Sequence, residues 1–528
     1  MRSFVITSAV FFGMCLIYIL IMLSTTGNYF TYILDDAYIH LAIAKNVAEH
    51  GIWGITEYGF SSSSSSPVFT GILSLLIFIF GDHSLIPLIF NLTAAALLIY
   101  CLNRYYARFF RQNAAVISAC LFSLFFALVH VQIVSGMEHV LHILVIAINI
   151  CFGQKWLSSG MKDRKSCYGF YATLVFLGLI RFETMFYFVS LAFVFLVIKK
   201  FKEAAFVLIA GFVPILIFGY FNYGSSGYFF PNSLVVKGTL IDFSGDIAAQ
   251  IIDITLKKII LNVSFYKIGF FPLLIGVLLI FKAYRKGLGF QKLIVNNFLV
   301  IVWSLALLLH CLFSEIKGVF RYEAYLLMAF SMVLIPRLEP FLAEPFKACK
   351  REKALGVLVG INLLLMIYKL GYAHVLVSVS SASIYSQQIQ SARFLRTYYN
   401  TSRVVANDIG AICYFTHIHL LDFMGLGSNE MVYFKTKNKK PGLEFEHYLT
   451  RYSTEHKYQL AIAYEEWLDG HTPKNWKKVA RLRVKGKNFV LGEDHLFIYS
   501  IDPGIRQDLK EKIRNFKWSP NVEVTIIE

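Results

Sequence analysis

The chain has 528 residues, of which 57% are hydrophobic and only 16% charged. With a mean hydropathy of +0.59, this excludes disorder and excludes a single soluble globule, whose charged share is about 25%. The net charge of +17 fits the Lys- and Arg-rich cytoplasmic loops of a polytopic membrane protein and does not call for nucleic acid.

The apolar run at 4–23 is long enough to cross about 30 Å of hydrocarbon. It lacks a small-residue cleavage site and reads as an uncleaved first span. Further runs lie near 84–101, 114–130, 138–152, 168–180, 184–198, 204–221, 266–282, 294–313, 319–335 and 354–373. The basic loops Arg104/Arg108/Arg111, Lys155/Lys162/Arg164/Lys165, Lys199/Lys200/Lys202, Lys282/Arg285/Lys286/Lys292 and Lys347/Lys350/Arg351/Lys353 alternate with cation-poor connections. Short basic loops stay in the cytoplasm, so the connections 131–137, 181–183, 222–265 and 314–318, and everything after 373, are expected outside. Parity then makes the run at 68–80 an interfacial or re-entrant helix, broken from the next span by Gly81-Asp82-His83. The predicted fold class is therefore a polytopic α-helical membrane protein with about eleven transmembrane helices over 1–373. A C-terminal extracytoplasmic α/β domain over 374–528 completes it. In that domain an amphipathic stretch at 387–399 precedes β-like runs at 404–406, 459–463 and 495–501. The Ser run Ser61–Ser66 reads as a flexible connector. None of the eight cysteines forms a CxxC pair, so neither a zinc site nor a disulfide framework is indicated.

Chemistry-bearing residues gather on the expected outer face. Leu34-Asp35-Asp36-Ala37-Tyr38-Ile39-His40 opens the first long outer loop. Its adjacent carboxylates suit a helix cap, a general base, or both. Ser135-Gly136-Met137-Glu138, Arg181-Phe182-Glu183 and Arg321-Tyr322-Glu323 stand at span ends. Charge near membrane depth is costly, which makes these functional candidates beside the plainer reading of structural ion pairs or snorkelling. Phe230-Pro231-Asn232-Ser233 presents Lys237 in the segment 222–265, where it either meets an anion or is simply solvated.

The ordered set resembles the bacterial GT-C glycosyltransferases of arabinofuranosyl-, mannosyl- and aminoarabinosyltransferase type. It comprises Asp35-Asp36-Ala37-Tyr38-Ile39, the Ser stretch ending in Pro67, Ser135-Gly136-Met137-Glu138, Arg181-Phe182-Glu183, Pro231-Asn232-Ser233 through Lys237, and Arg321-Tyr322. Asn407-Asp408-Ile409-Gly410-Ala411 and Leu421-Asp422-Phe423-Met424-Gly425-Leu426 are similar to the group's outer C-terminal domain. Phe182 and Ser233 depart from it, because the group usually has Pro and Thr there.

The resemblance implies a cell inner-membrane, multi-pass glycosyltransferase. It would move a sugar from a polyprenyl-phosphate carrier to a hydroxyl of a glycan, lipid or protein on the outer side. Transfer would be a single inverting displacement with Asp35 or Asp36 as base, Asp35 being the first choice. Lys237, Arg181 and Arg321 are the candidates for the donor phosphate, and Glu138, Glu183, His40, Asn232 and Tyr322 for positioning. Carboxylates and a phosphate would suit a hard cation such as Mg²⁺, although no dedicated metal-ligand cluster is visible; membrane lipids are expected partners, nucleic acid is not. A transporter or flippase of a lipid-linked glycan would share the span count, but its site would sit at midplane in repeated halves. A sensor with an outer ligand-binding domain would leave the double aspartate unexplained. An O-antigen ligase or polymerase, nearer in chemistry, fits the C-terminal domain less well.

Overall fold

The computed structural model describes residues 2–237, 245–314, 316, 320–437 and 440–528. Helix α1 (Arg2–Thr25) buries Ser3, Thr7, Phe11, Cys15, Tyr18 and Met22, one stripe at three- to four-residue spacing, and leaves its other apolar side outward. Helix α2 (Asp36–His50) follows and stops at Gly51 in the left-handed region. Helix α3 (Pro67–Phe80) opens on a proline, whose fixed φ suits a first helical turn. Its 14 residues rise about 21 Å, and a break at 81–85 separates it from α4 (Ile86–Tyr106).

Next come α5 (Asn113–Phe126), α6 (Val129–Ser135), α7 (His139–Ser158), α8 (Arg164–Ile180), α9 (Met185–Val197), α10 (Phe201–Ser226), α11 (Asn232–Lys237) and α12 (Ile247–Thr255). Then α13 (Val263–Arg285), α14 (Phe290–Asn296), α15 (Phe298–Phe313), α16 (Ala324–Ala343) and α17 (Lys353–Tyr398) complete the bundle. Each of the eleven expected spans is helical. Among the described residues, seven helices are long and apolar enough to cross on their own, or nine when the bent pairs α5–α6 (45°) and α14–α15 (77°) each count once. The other two, α8 and α9, are shorter and pack against α10.

Helix α17 does not end with its apolar part at residue 373. It runs on through a π-helical turn at Tyr385–Ile389 to Tyr398 and leads into the C-terminal domain. That domain holds β1 (Arg403–Ala406), α18 (Gly410–Phe415), β2 (His419–Asp422), α19 (Asn429–Lys437), α20 (Leu443–Glu455), β3 (Leu460–Ala463), β4 (Lys477–Val484), β5 (His495–Ser500), α21 (Arg506–Asn515) and β6 (Val522–Ile526). The strands form one sheet in the order β2-β1-β3-β5-β4-β6. Strands β2, β1 and β3 are parallel, with Val405 opposite both Leu421 and Ala461; β5, β4 and β6 add antiparallel. The carboxyl ends of β1 and β2, carrying Asn407-Asp408 and Asp422, lead into loops that meet the membrane bundle. A single apolar core continues from α1 into the near face of the sheet, while Val405, Leu421, Ala461, Phe497 and Tyr499 build a second core on the far face.

Candidate active site

At the end of the bundle that bears the C-terminal domain lies a cavity of about 310 Å³, at the lower end of the range for small-molecule sites. Asp36, His40, Arg181, Glu183, Arg321 and Tyr322 line it, together with Ser63, Ser65, Ser233 and Ser314. Ile39, Met137, Phe182, Phe186, Phe230, Phe313 and Leu426 supply apolar wall. Residues far apart in sequence thus converge on one space.

The two adjacent aspartates diverge. Asp36, in the first turn of α2, reaches the cavity and pairs with Nη1 of Arg321. Asp35 turns to the C-terminal domain, where its Oδ2 accepts the Gly410 N–H at 2.7 Å and its Oδ1 the Ala411 N–H at 2.8 Å. Those donors open α18, so Asp35 docks one module on the other. Burial, with the Asp408 charge alongside, pushes the Asp35 carboxyl up to about 7. Gly410 is needed for this approach, because a Cβ there would stand 2.2 Å from the Asp35 carbonyl oxygen and 2.8 Å from its carboxylate. Asp408 accepts from Gln388 Nε2 and Tyr464 Oη, each at 2.6 Å.

Arg181 is held by carboxylates on every side. Its Nε and Nη2 donate to Glu183 in a two-pronged pair, and its Nη1 donates to Glu138. Glu138 is fully buried and lies 3.4 Å from Nε2 of His40. The other His40 nitrogen meets Thr70 Oγ1 at 2.8 Å, and Thr70 meets Ser64 at 2.9 Å. The Tyr322 ring lies beside two guanidiniums, 5.2 Å from Arg181 and 4.7 Å from Arg321, within cation–π range. Its hydroxyl accepts from Nη2 of Arg321 at 2.9 Å. The turn before Glu138 also demands glycine: Gly136 has φ +70°, and a Cβ would come within 2.5 Å of the Tyr32 ring.

Asn232 sits at a junction of modules. Its N–H donates to the Ser62 carbonyl at 2.9 Å, and its Nδ2 donates to Asn429 Oδ1 at 2.9 Å. Lys237 closes α11, and its side chain lies outside the described residues.

The Ser61–Ser66 run is not a flexible connector. Ser61–Ser64 and Ser66 are buried. Ser61 Oγ accepts the Ile55 N–H at 2.8 Å, Ser62 Oγ donates to Asn222 at 2.6 Å, and Ser63 Oγ donates to the Leu426 carbonyl at 2.8 Å. Short hydroxyl side chains let this segment pass closely between modules, with Ser61, Ser62, Ser63 and Ser64 each hydrogen-bonded. Leu426, the last residue of the Leu421–Leu426 motif, belongs to a loop shaped by Asp422. This fully buried carboxylate ends β2 and accepts the N–H groups of Met424 and Gly427 at 2.8 and 2.7 Å. Burial pushes Asp422 up to about 6 against those donors.

Among the described residues no three His, Cys, Asp or Glu side chains form a metal-ligand group. The cavity carboxylates Asp36 and Glu183 are each engaged by a guanidinium.

A family model described as a domain of unknown function (DUF8728) matches residues 382–499. No curated protein matches the chain. Among solved structures, ArnT from Cupriavidus metallidurans superposes with a TM-score of 0.52 in its apo state and 0.51 bound to undecaprenyl phosphate. In both cases identity is 12%, and the match covers 94% of this chain and 98% of ArnT. The apo oligosaccharyltransferase of Archaeoglobus fulgidus, also 12% identical, covers 98% of this chain and 76% of its own, with a TM-score of 0.46. Over 94% of its length, this chain shares the fold seen in ArnT.

Proposed function

We propose that the protein is an integral-membrane glycosyltransferase that moves a sugar from a polyprenyl-phosphate carrier to an acceptor hydroxyl. The reaction takes place on the extracytoplasmic side of a bacterial inner membrane, beside the C-terminal domain. The observation that carries the reading is the convergence of Asp36 and Arg321 on one partly apolar cavity at one end of the bundle. The shared fold with ArnT, seen with undecaprenyl phosphate bound, supports the lipid-phosphate donor.

A sugar on a lipid phosphate already carries a good leaving group, so the site needs a base and a cation but no acid. Asp36 is the base. Its carboxylate takes the acceptor hydroxyl proton as that oxygen attacks the anomeric carbon from the face opposite the phosphate. The bond to the phosphate oxygen breaks with its electron pair left on phosphate, and the anomeric centre inverts. Arg321 meets that charge, with Tyr322 orienting its guanidinium, and Lys237 is the second candidate on the phosphate. Arg181, whose three donor nitrogens are already given to Glu183 and Glu138, positions Tyr322 instead, and His40 fixes Glu138.

The test is to incubate the purified protein with a panel of polyprenyl-phosphate sugars and an acceptor mixture, with Asp36→Asn as control. One donor losing its sugar with wild type and not with the variant supports the reading. No donor consumed, with donor carried intact across vesicles instead, would make the protein a transporter.

A further inference from the structure

The loop joining β4 to β5 reaches the membrane bundle in a place the reaction does not use. Its tip, Lys485-Gly486-Lys487-Asn488-Phe489, turns at Gly486, whose φ is +99°. Lys485, Lys487 and Phe489 are all exposed. The Phe489 ring stands edge-on to Tyr372, with centroids 6.0 Å apart. Tyr372 lies on the apolar part of α17, stacks on Tyr368 at 6.4 Å, and so fixes the depth of the loop at the end of a membrane span. Lys267, from the start of α13, donates to the Tyr368 hydroxyl at 3.2 Å with its ammonium 5.2 Å from that ring. Tyrosines at a span end mark the headgroup layer.

Three lysines and three aromatic rings therefore share one rim. Among the described residues, Lys485 Nζ donates to the Pro520 carbonyl, at 3.2 Å on the surface, with no carboxylate partner, and Lys487 is exposed with none either. An exposed ring held at headgroup depth between ammonium groups matches a layer that is apolar below and anionic above.

We propose that the β4–β5 loop is a membrane-binding element. Phe489 inserts at the headgroup boundary, and Lys485, Lys487 and Lys267 bind the phosphates of anionic phospholipids in the leaflet facing the C-terminal domain. Tyr372 also meets Phe320 at 5.8 Å, one residue before Arg321, so the lipid contact adjoins the segment that carries a cavity cation.

The full chain reconstituted in nanodiscs tests this. Phe489→Cys, in a Cys349→Ser background that removes an exposed thiol, carries an environment-sensitive fluorophore. Spin-labelled phosphatidylglycerol is expected to quench it strongly, spin-labelled phosphatidylcholine less so, and aqueous iodide weakly. The preference for phosphatidylglycerol should fall about fivefold for each of Lys485→Gln and Lys487→Gln, as a lysine near an anionic surface contributes about 1 kcal/mol. Strong iodide quenching would place the loop in water and overturn the proposal. Equal quenching by both lipids, unchanged in the lysine variants, would overturn the anionic headgroup site.

Discussion

Replacing the adjacent aspartates one at a time by Asn should separate a docking carboxylate from a reacting one. Asp35 accepts two backbone N–H groups of α18 at 2.7 and 2.8 Å. A carboxyl can meet both donors with an oxygen, whereas an amide keeps one acceptor oxygen and turns its own N–H groups towards the second donor, so one buried N–H is left unpaired. At about 1–3 kcal/mol for an unsatisfied buried donor, Asp35→Asn should destabilise the protein by about 1–3 kcal/mol and lower its Tm by several degrees. Asp36→Asn leaves those bonds alone. Its side chain is partly exposed to the cavity, so Tm should barely move, while loss of a general base slows transfer by about 10²–10⁴-fold. Thermal unfolding and single-turnover transfer from a polyprenyl-phosphate sugar, measured on the same preparations, read both effects. If Asp35→Asn abolished turnover with Tm unchanged, and Asp36→Asn kept a near-normal rate, the assignment of roles would be refuted.

The same carboxyl should impose a pH dependence. With Asp35 at about 7 in the folded protein and about 4 unfolded, the folded state binds more protons between those values, so stability falls as pH rises from about 4 to about 7. Asp35→Asn should flatten that part of a Tm-against-pH profile. Arg181→Met strands the buried Glu138 and should cost about 3–5 kcal/mol of stability. Donor affinity of the surviving folded fraction should stay near wild type, and a tenfold weaker affinity would return Arg181 to the phosphate. Ser63→Ala removes the bond to the Leu426 carbonyl. Amide exchange in residues 423–427 should speed up by about fivefold for a bond of about 1 kcal/mol, and unchanged exchange would detach that loop from the Ser run. For topology, thiol reagents applied from outside should reach Tyr58→Cys and Glu430→Cys but not Arg108→Cys or Lys286→Cys in a Cys349→Ser background. Labelling at 108 would reverse the orientation.

The spans were legible because hydrocarbon length acts through composition alone, so the eleven apolar runs reappear as helices. The strands at 404–406, 459–463 and 495–501 were legible as short apolar β-like runs separated by polar turns. Arg181, Tyr322, Arg321 and Asp36 could be singled out because charge at a span end is rare enough to stand out. What those side chains touch was not legible. Nothing local says that Asp35 faces Gly410 while Asp36 faces Arg321, since a one-residue step on a helix start redirects a side chain by about 100°. The Ser61–Ser66 run misled for a related reason: its composition is that of a linker, and only its neighbours Asn222, Asn232 and Leu426 make it rigid. The role of Leu426 depends on Asp422 folding its loop back, a feature set by buried hydrogen bonds and not by pattern.

Helix α17, continuous from Lys353 to Tyr398, makes the bilayer a mechanical input to the cavity. The part beyond residue 373 extends for about 37 Å at 1.5 Å per residue. A change of about 5° in the tilt of its membrane part, the kind of adjustment a helix makes to bilayer thickness, carries the far end through about 3 Å. That displacement equals the length of the hydrogen bonds from Ser63 and Asn232 that seat the C-terminal domain over the site. Lipid thickness would thus reach the cavity as a displacement of its cover.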